Sequence, residues 1–468
     1  MSSTRDPQLR IYLRQFVQEA LAHLRHLGEL PRPRSAPLGI AGRFRLEQEL
    51  GDLASYKALD VYLAVSGIAQ KLVNAGHCWA WHREVFSFLF IEQYLNSSRA
   101  DRYDPAVFAT IYRRAESEIF SHTVTLRRIS MIHGIPVPPN KIHLERGLTV
   151  VPCTLQESRE TLQNMLWQRF QPRPLDCLIL GKGALLVNDI KARKDDDGRP
   201  IMRCRDDARL DERLSLLAMR LCCDGFIYAG PLFEAELSRF PLWPAHRWDP
   251  EESRLLLVES NRQLTGTEAR RLRISSRALK RLANSPSGGR NRAPALRQAL
   301  RRFDQSFRPA DEESNIVDLV VALEALYLPE GGGELRYRMA TNVANLLGHR
   351  DEQRLSIFRQ VLLAYDIRNT LVHGRTRPLK DLTKHVRNFL SEAGMGRGQG
   401  QLERDLEKVG TRLRQMVRDS IQAYFGVTQA FDRTPELDRW PDIGKFNEMG
   451  FDAKARRELQ KLARVPKA

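Results

Sequence analysis

Ile316-Val-Asp-Leu-Val-Val-Ala-Leu-Glu-Ala-Leu326 is apolar on nearly every face of a 3.6-residue helix, and its reading decides the architecture around it. A helix with so little polar surface has to be enclosed by other elements, so this stretch predicts the central member of a helical bundle. Helical patterns flank it on both sides. Upstream, Thr265-Gly-Thr-Glu268 has the spacing of a capping box, and Pro294 stands where a first-turn proline is tolerated. Downstream, Glu334–Leu347 stops at Gly348, and Asp351–Val372 is followed by Gly374 near the C′ position. Further helical patterns run over Leu379–Leu390 and Leu402–Phe425. Residues 265–425 therefore read as one all-helical domain.

Outward from this domain the chain changes character. Residues 426–468 are polar and rich in Arg and Lys, and read as a basic tail. Residues 141–264 mix turn signals with short apolar runs such as Leu148–Val151, Leu175–Leu180, Ala184–Val187, Phe226–Ala229 and Leu255–Val258, which predicts an α+β domain. Residues 40–140 read as helical, from the spacing of Leu59, Tyr62, Leu63 and Val65 through the aromatic-rich Trp79–Leu95. Aromatics at that spacing suit a core better than a base-stacking platform. Residues 1–39 read as an N-terminal helix followed by the linker Pro31-Arg-Pro-Arg-Ser-Ala-Pro37. Two further breaks are Asn284–Gly289 and Gly394–Gly400. The expected fold is mainly α and multidomain, with a helical N-terminal region, an α+β middle domain and a C-terminal all-helical bundle.

Composition narrows the function classes. At 468 residues the chain has room for about three domains. Its 74 Lys and Arg against 57 Asp and Glu leave a net charge of +17, which points to a polyanionic partner. The six cysteines are scattered without a C-x-x-C pair, which argues against a zinc ribbon or a disulfide framework. The opening MSSTRDPQLR lacks the apolar run of a secretory signal, and Val85–Ile91 and Ile316–Leu328 are too short to span a bilayer. A cytoplasmic protein without membrane association is expected. The glycines at 394–400 do not follow a strand, and no phosphate-binding G-x-x-x-x-G-K-[ST] loop occurs, so no nucleotide cofactor is expected.

The segment richest in chemistry is Tyr365-Asp-Ile-Arg-Asn-Thr-Leu-Val-His-Gly374, at the end of a long helical pattern. Five residues at about 100° each set Arg368 and His373 about 140° apart around the axis, whereas Asn369 and His373 share a face. Such residues suit RNA cleavage. An imidazole takes the proton of a ribose 2′-hydroxyl or gives one to the leaving 5′-oxygen, and a guanidinium holds the phosphate while charge builds on it. No metal is needed, and DNA lacks the nucleophile. The bland alternative is that an Arg and a His merely oppose the helix macrodipole.

The context of this motif resembles the HEPN superfamily, in particular the Apea-like HEPN branch found in bacterial defence proteins. The resemblance covers about residues 296–374. It is carried by Ala299-Leu-Arg-Arg-Phe-Asp304, Val317–Leu326 with its A-L-E-A-L, Tyr337-Arg-Met-Ala340, Ala344-Asn-Leu-Leu-Gly348 and Tyr365–Gly374, in that order. It implies an all-helical domain that dimerises and builds a composite cleft from two copies of the motif, so a homodimer or larger homo-oligomer is expected. It also implies a metal-independent endoribonuclease that leaves a 2′,3′-cyclic phosphate, with Arg368 and His373 as the catalytic pair and Asn369 beside them. Anti-phage defence, host or phage RNA as substrate (transfer RNA included), and a phage-derived activator are implied in the same way. Other members of the family are non-catalytic scaffolds, so a nucleic-acid-binding or sensing scaffold is the alternative.

Glu324 stands out inside the apolar helix, because a carboxylate buried without a partner is costly. Arg368 is its natural partner in a site-supporting role; an edge position facing solvent or another arginine is the alternative. Asp318 reads as structural. Between Arg262 and Arg302 the chain carries twelve basic residues and the single acid Glu268. Arg270, Arg271, Arg273, Arg277, Arg301 and Arg302 there, with Arg375 and Arg377 after the motif, are the expected RNA-binding residues, a solvated helix face being the alternative. A rival reading takes Pro174–Lys191 as a hairpin that brings Asp176, Asp189 and Lys191 together, loosely like a magnesium-dependent nuclease core. Asn188 and Asp189 depart from that pattern, and an ordinary exposed hairpin is the alternative.

Overall fold

The computed structural model describes residues 5–27, 48–66, 81–97, 102–145, 147–152, 184–193, 202–223, 227–236, 246–248, 262–284, 293–307, 311–328, 334–373, 379–396, 401–431 and 453–463. The fold is mainly α and multidomain. Two compact units interleave in sequence. The first comprises Met1–Met131, Gly147–Glu212 and Pro231–Asp249, and the second Ile132–Arg146, Arg213–Gly230 and Pro250–Ala468.

In the first unit α1 (Pro7–His26), α2 (Ala54–Val65), α3 (Trp81–Ser97) and α4 (Pro105–Ile119) share one core. Leu9, Leu13, Phe16, Val17, Ala20, Leu21 and Leu24 bury one stripe of α1, so this helix belongs with residues 40–140 instead of standing apart. Asp6 fixes it there. Its carboxylate caps α1 by accepting from the Leu9 N–H at 2.8 Å and also accepts from the Tyr62 hydroxyl at 2.8 Å. Its carbonyl accepts from the Tyr112 hydroxyl at 2.6 Å. Burial pushes the Tyr62 phenol up to about 12. The aromatics Phe86, Phe88, Phe90 and Tyr94 of α3 are buried, as a core stripe should be. The linker at residues 31–37 lies outside the described residues.

The helical reading of residues 40–135 ends early. Thr123–His133 is strand β1, where Val124 and Leu126 are buried while Thr125 between them is exposed, and this two-residue alternation overrides the helical expectation. With β2 (Ile142–Glu145), β3 (Leu148–Pro152), β4 (Ala184–Arg193), β5 (Tyr228–Glu236) and β6 (His246–Trp248), the α+β middle is present. Strands β3, β4, β1, β5 and β6 stand side by side in that order. β3 and β4 run antiparallel, with Leu148 opposite Asn188 and Pro152 opposite Ala184. Arg128, 1% exposed, points inward from β1 and forks onto Glu212 of α5 (Met202–Cys222) at 2.6 and 3.0 Å, so the buried charge is paired on two bonds.

The second unit is built on helices. α6 (Gly266–Asn284) starts at the expected capping box: the Glu268 N–H donates to Thr265 Oγ1 at 3.2 Å, and the Thr265 N–H to Glu268 Oε2 at 2.9 Å. It is followed by α7 (Ala293–Gln305), α8 (Glu312–Tyr327), α9 (Leu335–Leu347), α10 (Asp351–Val372), α11 (Leu379–Glu392), α12 (Leu402–Phe431) and α13 (Ala453–Ala463). α8 is the expected central helix. No side chain from Asn315 to Tyr327 is exposed, and α7, α9, α10 and α12 all pack against it. Asp311 caps it by accepting from the Ser314 N–H, and Glu312 and Glu313 complement the macrodipole of its first turn.

Residues 426–468 are not wholly a tail. α12 continues to Phe431, and α13 packs on α12 and α9. The buried Gln460 of α13 donates to the carbonyls of Asn345 and Gly348 at 3.1 and 3.0 Å, satisfying acceptors that the end of α9 leaves open. Gly348 is required by close approach. A Cβ there would lie 2.8 Å from both the Ala344 carbonyl oxygen and the Arg354 Cα. Gly348→Ala is therefore expected to destabilise the second unit by about 1–3 kcal/mol, read as a lower unfolding midpoint by circular dichroism.

Candidate active site

α10 carries the R-N-x-x-x-H motif on its last turns. Asp351 and Glu352 favour its first turn electrostatically. Ile357, Gln360, Val361, Ala364, Ile367 and Thr370 turn one face into the bundle. The helix stops at His373, whose backbone (φ −102°, ψ 18°) leaves the helical path while its N–H still donates to the Asn369 carbonyl at 3.0 Å. The His373 side chain is exposed.

Arg368 is half-buried at the edge of the inward face. Its Nη1 donates to Asn369 Oδ1 at 2.9 Å, and its guanidinium carbon lies 5.8 Å from the centre of the Tyr365 ring, one turn back. Its Nε is enclosed and has no hydrogen-bond acceptor among the described residues. The guanidinium is thus held by one amide and one ring, with donors left over for an anionic oxygen.

Glu324 of α8 is half-buried and faces this group. Burial raises its carboxyl above the ordinary glutamate range, and the charge of Arg368 pulls it back in part. Arg368 is therefore the electrostatic partner of Glu324, although no hydrogen bond joins them among the described residues. The side chain that orients the guanidinium by a hydrogen bond is Asn369. Asp318, the other acid of α8, forms an ion pair with Arg302 at 2.7 Å.

The remaining expected site residues are dispersed. Arg270, Arg271, Arg273 and Arg277 are exposed on α6, and Arg301 is exposed on α7. The Arg302 guanidinium is engaged by Asp318. Arg375 and Arg377 lie outside the described residues, as does Asp176. Of the rival constellation, Asp189 on β4 accepts from Arg127 on both oxygens, each at 2.7 Å, and Lys191 is exposed. Among the described residues no three His, Cys, Asp or Glu side chains group closely enough to hold a metal ion.

One feature went unread in the sequence. Leu355, Phe358, Leu362, Tyr365, Asn369 and Val372 recur on α10 at alternating steps of three and four, the spacing of a helix-pairing seam. Leu355 is 50% and Val372 51% exposed, and Tyr337 of α9, 58% exposed, sets its ring edge-on against Phe358 at 5.3 Å. The signal was available, but a stripe on an amphipathic helix reads as core until the other face is shown to be the buried one. Asn369 belongs both to this seam and to the Arg368 pair.

Comparison of the chain with protein-family models, curated proteins and solved structures gives no match.

A group whose folded pKa is raised binds its proton more readily in the fold, so its contribution to stability falls as pH rises through the carboxylate range. At neutral pH the Glu324 charge is consequently a cost. Glu324→Gln is expected to raise the unfolding midpoint of the second unit at pH 7, with the gain disappearing at pH values where the native glutamate is protonated. A midpoint lowered equally at both pH values would show that the carboxylate is needed for packing alone.

Proposed function

We propose that the second unit is a HEPN-type endoribonuclease that cleaves RNA through its own 2′-hydroxyl, at a cleft shared by two copies of the chain. The observation that carries this reading is the geometry at the end of α10. There a guanidinium is held by Asn369 and Tyr365 with donors to spare, five residues before an exposed histidine.

The chemistry follows from these groups. One imidazole removes the 2′-hydroxyl proton, the 2′-oxygen attacks the adjacent phosphorus, and the bond to the 5′-oxygen breaks as a second imidazole protonates it. The products are a 2′,3′-cyclic phosphate and a 5′-hydroxyl. The guanidinium of Arg368 neutralises the extra charge on the pentacoordinate phosphorus. Glu324 acts as a positioning residue, its charge acting on the Arg368 guanidinium from α8. Each chain carries one such histidine, so two proton transfers call for two chains. The exposed seam of α10 supports that pairing, because it is apolar at its ends and carries Asn369 within it, as register-setting seams do.

In the cell this activity fits a cytoplasmic anti-phage defence protein of the abortive-infection kind, acting on host or phage RNA, with transfer RNA among the substrates and a phage component as trigger. Among the described residues no helix is long and apolar enough to cross a membrane. A non-catalytic scaffold would use the same seam, and activity separates the two. The magnesium-dependent alternative is weakened by the Asp189 carboxylate, both of whose oxygens are occupied by Arg127.

Purified protein in EDTA is expected to cleave RNA and leave cyclic-phosphate ends, and His373→Ala to lower the rate by about 10²-fold or more. Cleavage that needs magnesium and survives the substitution would overturn the proposal. Leu355→Asp combined with Val372→Asp is expected to shift the protein to monomer mass in light scattering and to abolish cleavage together with pairing. A paired wild type that cleaves no RNA would leave the scaffold.

A further inference from the structure

Several arginines of the second unit are held by acids. Arg302 is paired with Asp318, Arg336 with Asp366, Arg359 with Glu392 and Arg414 with Glu312. On α6, Lys280 is taken by Glu145 of β2. Glu268, the only acid between Arg262 and Arg302, is taken by Arg262 and by its own capping box. Arg270, Arg273 and Arg277 are exposed, and none has a carboxylate or other hydrogen-bond acceptor among the described residues.

Their spacing makes them a row. Steps of three and four residues keep the three side chains within about 60° of one another around α6, at intervals of about 4.5 and 6 Å along its axis. The row faces away from Leu272 and Leu279, which bury the opposite side. Arg271 does not belong to it. It stands about 100° further round, on the flank where Ser275 meets Cys222 at 3.3 Å. Like charges at these spacings repel along an isolated helix, and among the described residues no acid offsets them, so the row suits an external anion with charges at repeated short intervals.

We infer that the Arg270–Arg273–Arg277 face of α6 is a track for the phosphate backbone of RNA, separate from the cleaving groups. The inference rests on the reading of RNA as the substrate, and it gives that substrate a place to be held beyond the scissile phosphate. Guanidinium forks match phosphate oxygens, and a row of them reads charge and spacing with no base preference. A membrane surface fits less well. α6 presents no large exposed apolar side chain, whereas an interfacial helix buries an apolar face in the lipid.

The test uses the full chain and a 2′-O-methylated oligonucleotide, which lacks the nucleophile and therefore reports binding apart from cleavage. The wild type is expected to bind it. The triple variant Arg270→Gln, Arg273→Gln, Arg277→Gln is expected to bind about tenfold to a hundredfold more weakly near 0.1 M salt. Its slope of log affinity against log salt should be shallower by about 2, the loss of three phosphate contacts on a single strand. Arg271→Gln, off the row, should change neither quantity. Should the triple variant fail to fold, the three single substitutions serve, each costing about threefold to fivefold in affinity. Unchanged affinity and slope in the variants would overturn the track, as would an equal loss from Arg271→Gln. So would arginine-dependent binding to phosphatidylserine–phosphatidylcholine vesicles with none to the oligonucleotide. A protein that binds through the row but cleaves nothing in EDTA would remove the proposed catalysis and leave the track standing.

Discussion

Enclosing α8 is the constraint on which the second unit depends. A helix with almost no polar face is stable only when surrounded, and α7, α9, α10 and α12 surround it, each contributing its own one-sided stripe. The polar groups carried inward have to be satisfied within the bundle. The Tyr327 hydroxyl donates to Ser420 Oγ at 2.9 Å, which donates in turn to the Met416 carbonyl at 2.8 Å. Of the two acids on the inner length of α8, Asp318 finds Arg302, while Glu324 has only the field of Arg368. The candidate site thus begins where the inner length of the central helix carries a charge that no neighbour among the described residues hydrogen-bonds.

A second set of contacts makes the frame rigid enough for that charge to matter. The Phe307 ring lies between two guanidinium groups, Arg220 at 4.7 Å and Arg414 at 5.6 Å from its centre. Arg220 pairs with Asp304, and Arg414 bonds the Ser306 carbonyl and Glu312, so α5, α7, α8 and α12 are joined at one end of the bundle. Arg418 adds a bond to the Arg220 carbonyl at 3.0 Å. Removing any one of these cations would strand a carboxylate or a carbonyl, which is why such networks hold elements in register. Among the described arginines, those of the frame are partnered, whereas Arg368 on α10 and Arg270, Arg273 and Arg277 on α6 keep open donors.

That division also bears on the net charge of +17. Within the described residues, the arginines of the frame are neutralised by nearby acids. Among the described residues, Arg270, Arg273 and Arg277 on α6 are part of the excess that no acid holds.

Much of this was legible from the sequence because it depends on local rules. Helix periodicity located α6 to α12, the capping box at Thr265 and Glu268 formed as its spacing implied, and the all-apolar run of Ile316–Leu326 is the central helix. The motif residues Arg368, Asn369 and His373, and Glu324 as a charge facing Arg368, followed from the same reading. Long-range packing decided the rest. Whether α1 stands apart or joins the core of α2 to α4 depends on Asp6 meeting Tyr62 and Tyr112, residues about 56 and 106 positions away. Thr123–His133 forms a strand because a sheet was there to receive it. Arg302 and Asp189 proved to be engaged, and Arg270, Arg273 and Arg277 open, because pairing is settled by which acids the fold brings within reach. Period and capping are properties of neighbours in the chain; partners and exposed faces are properties of neighbours in space.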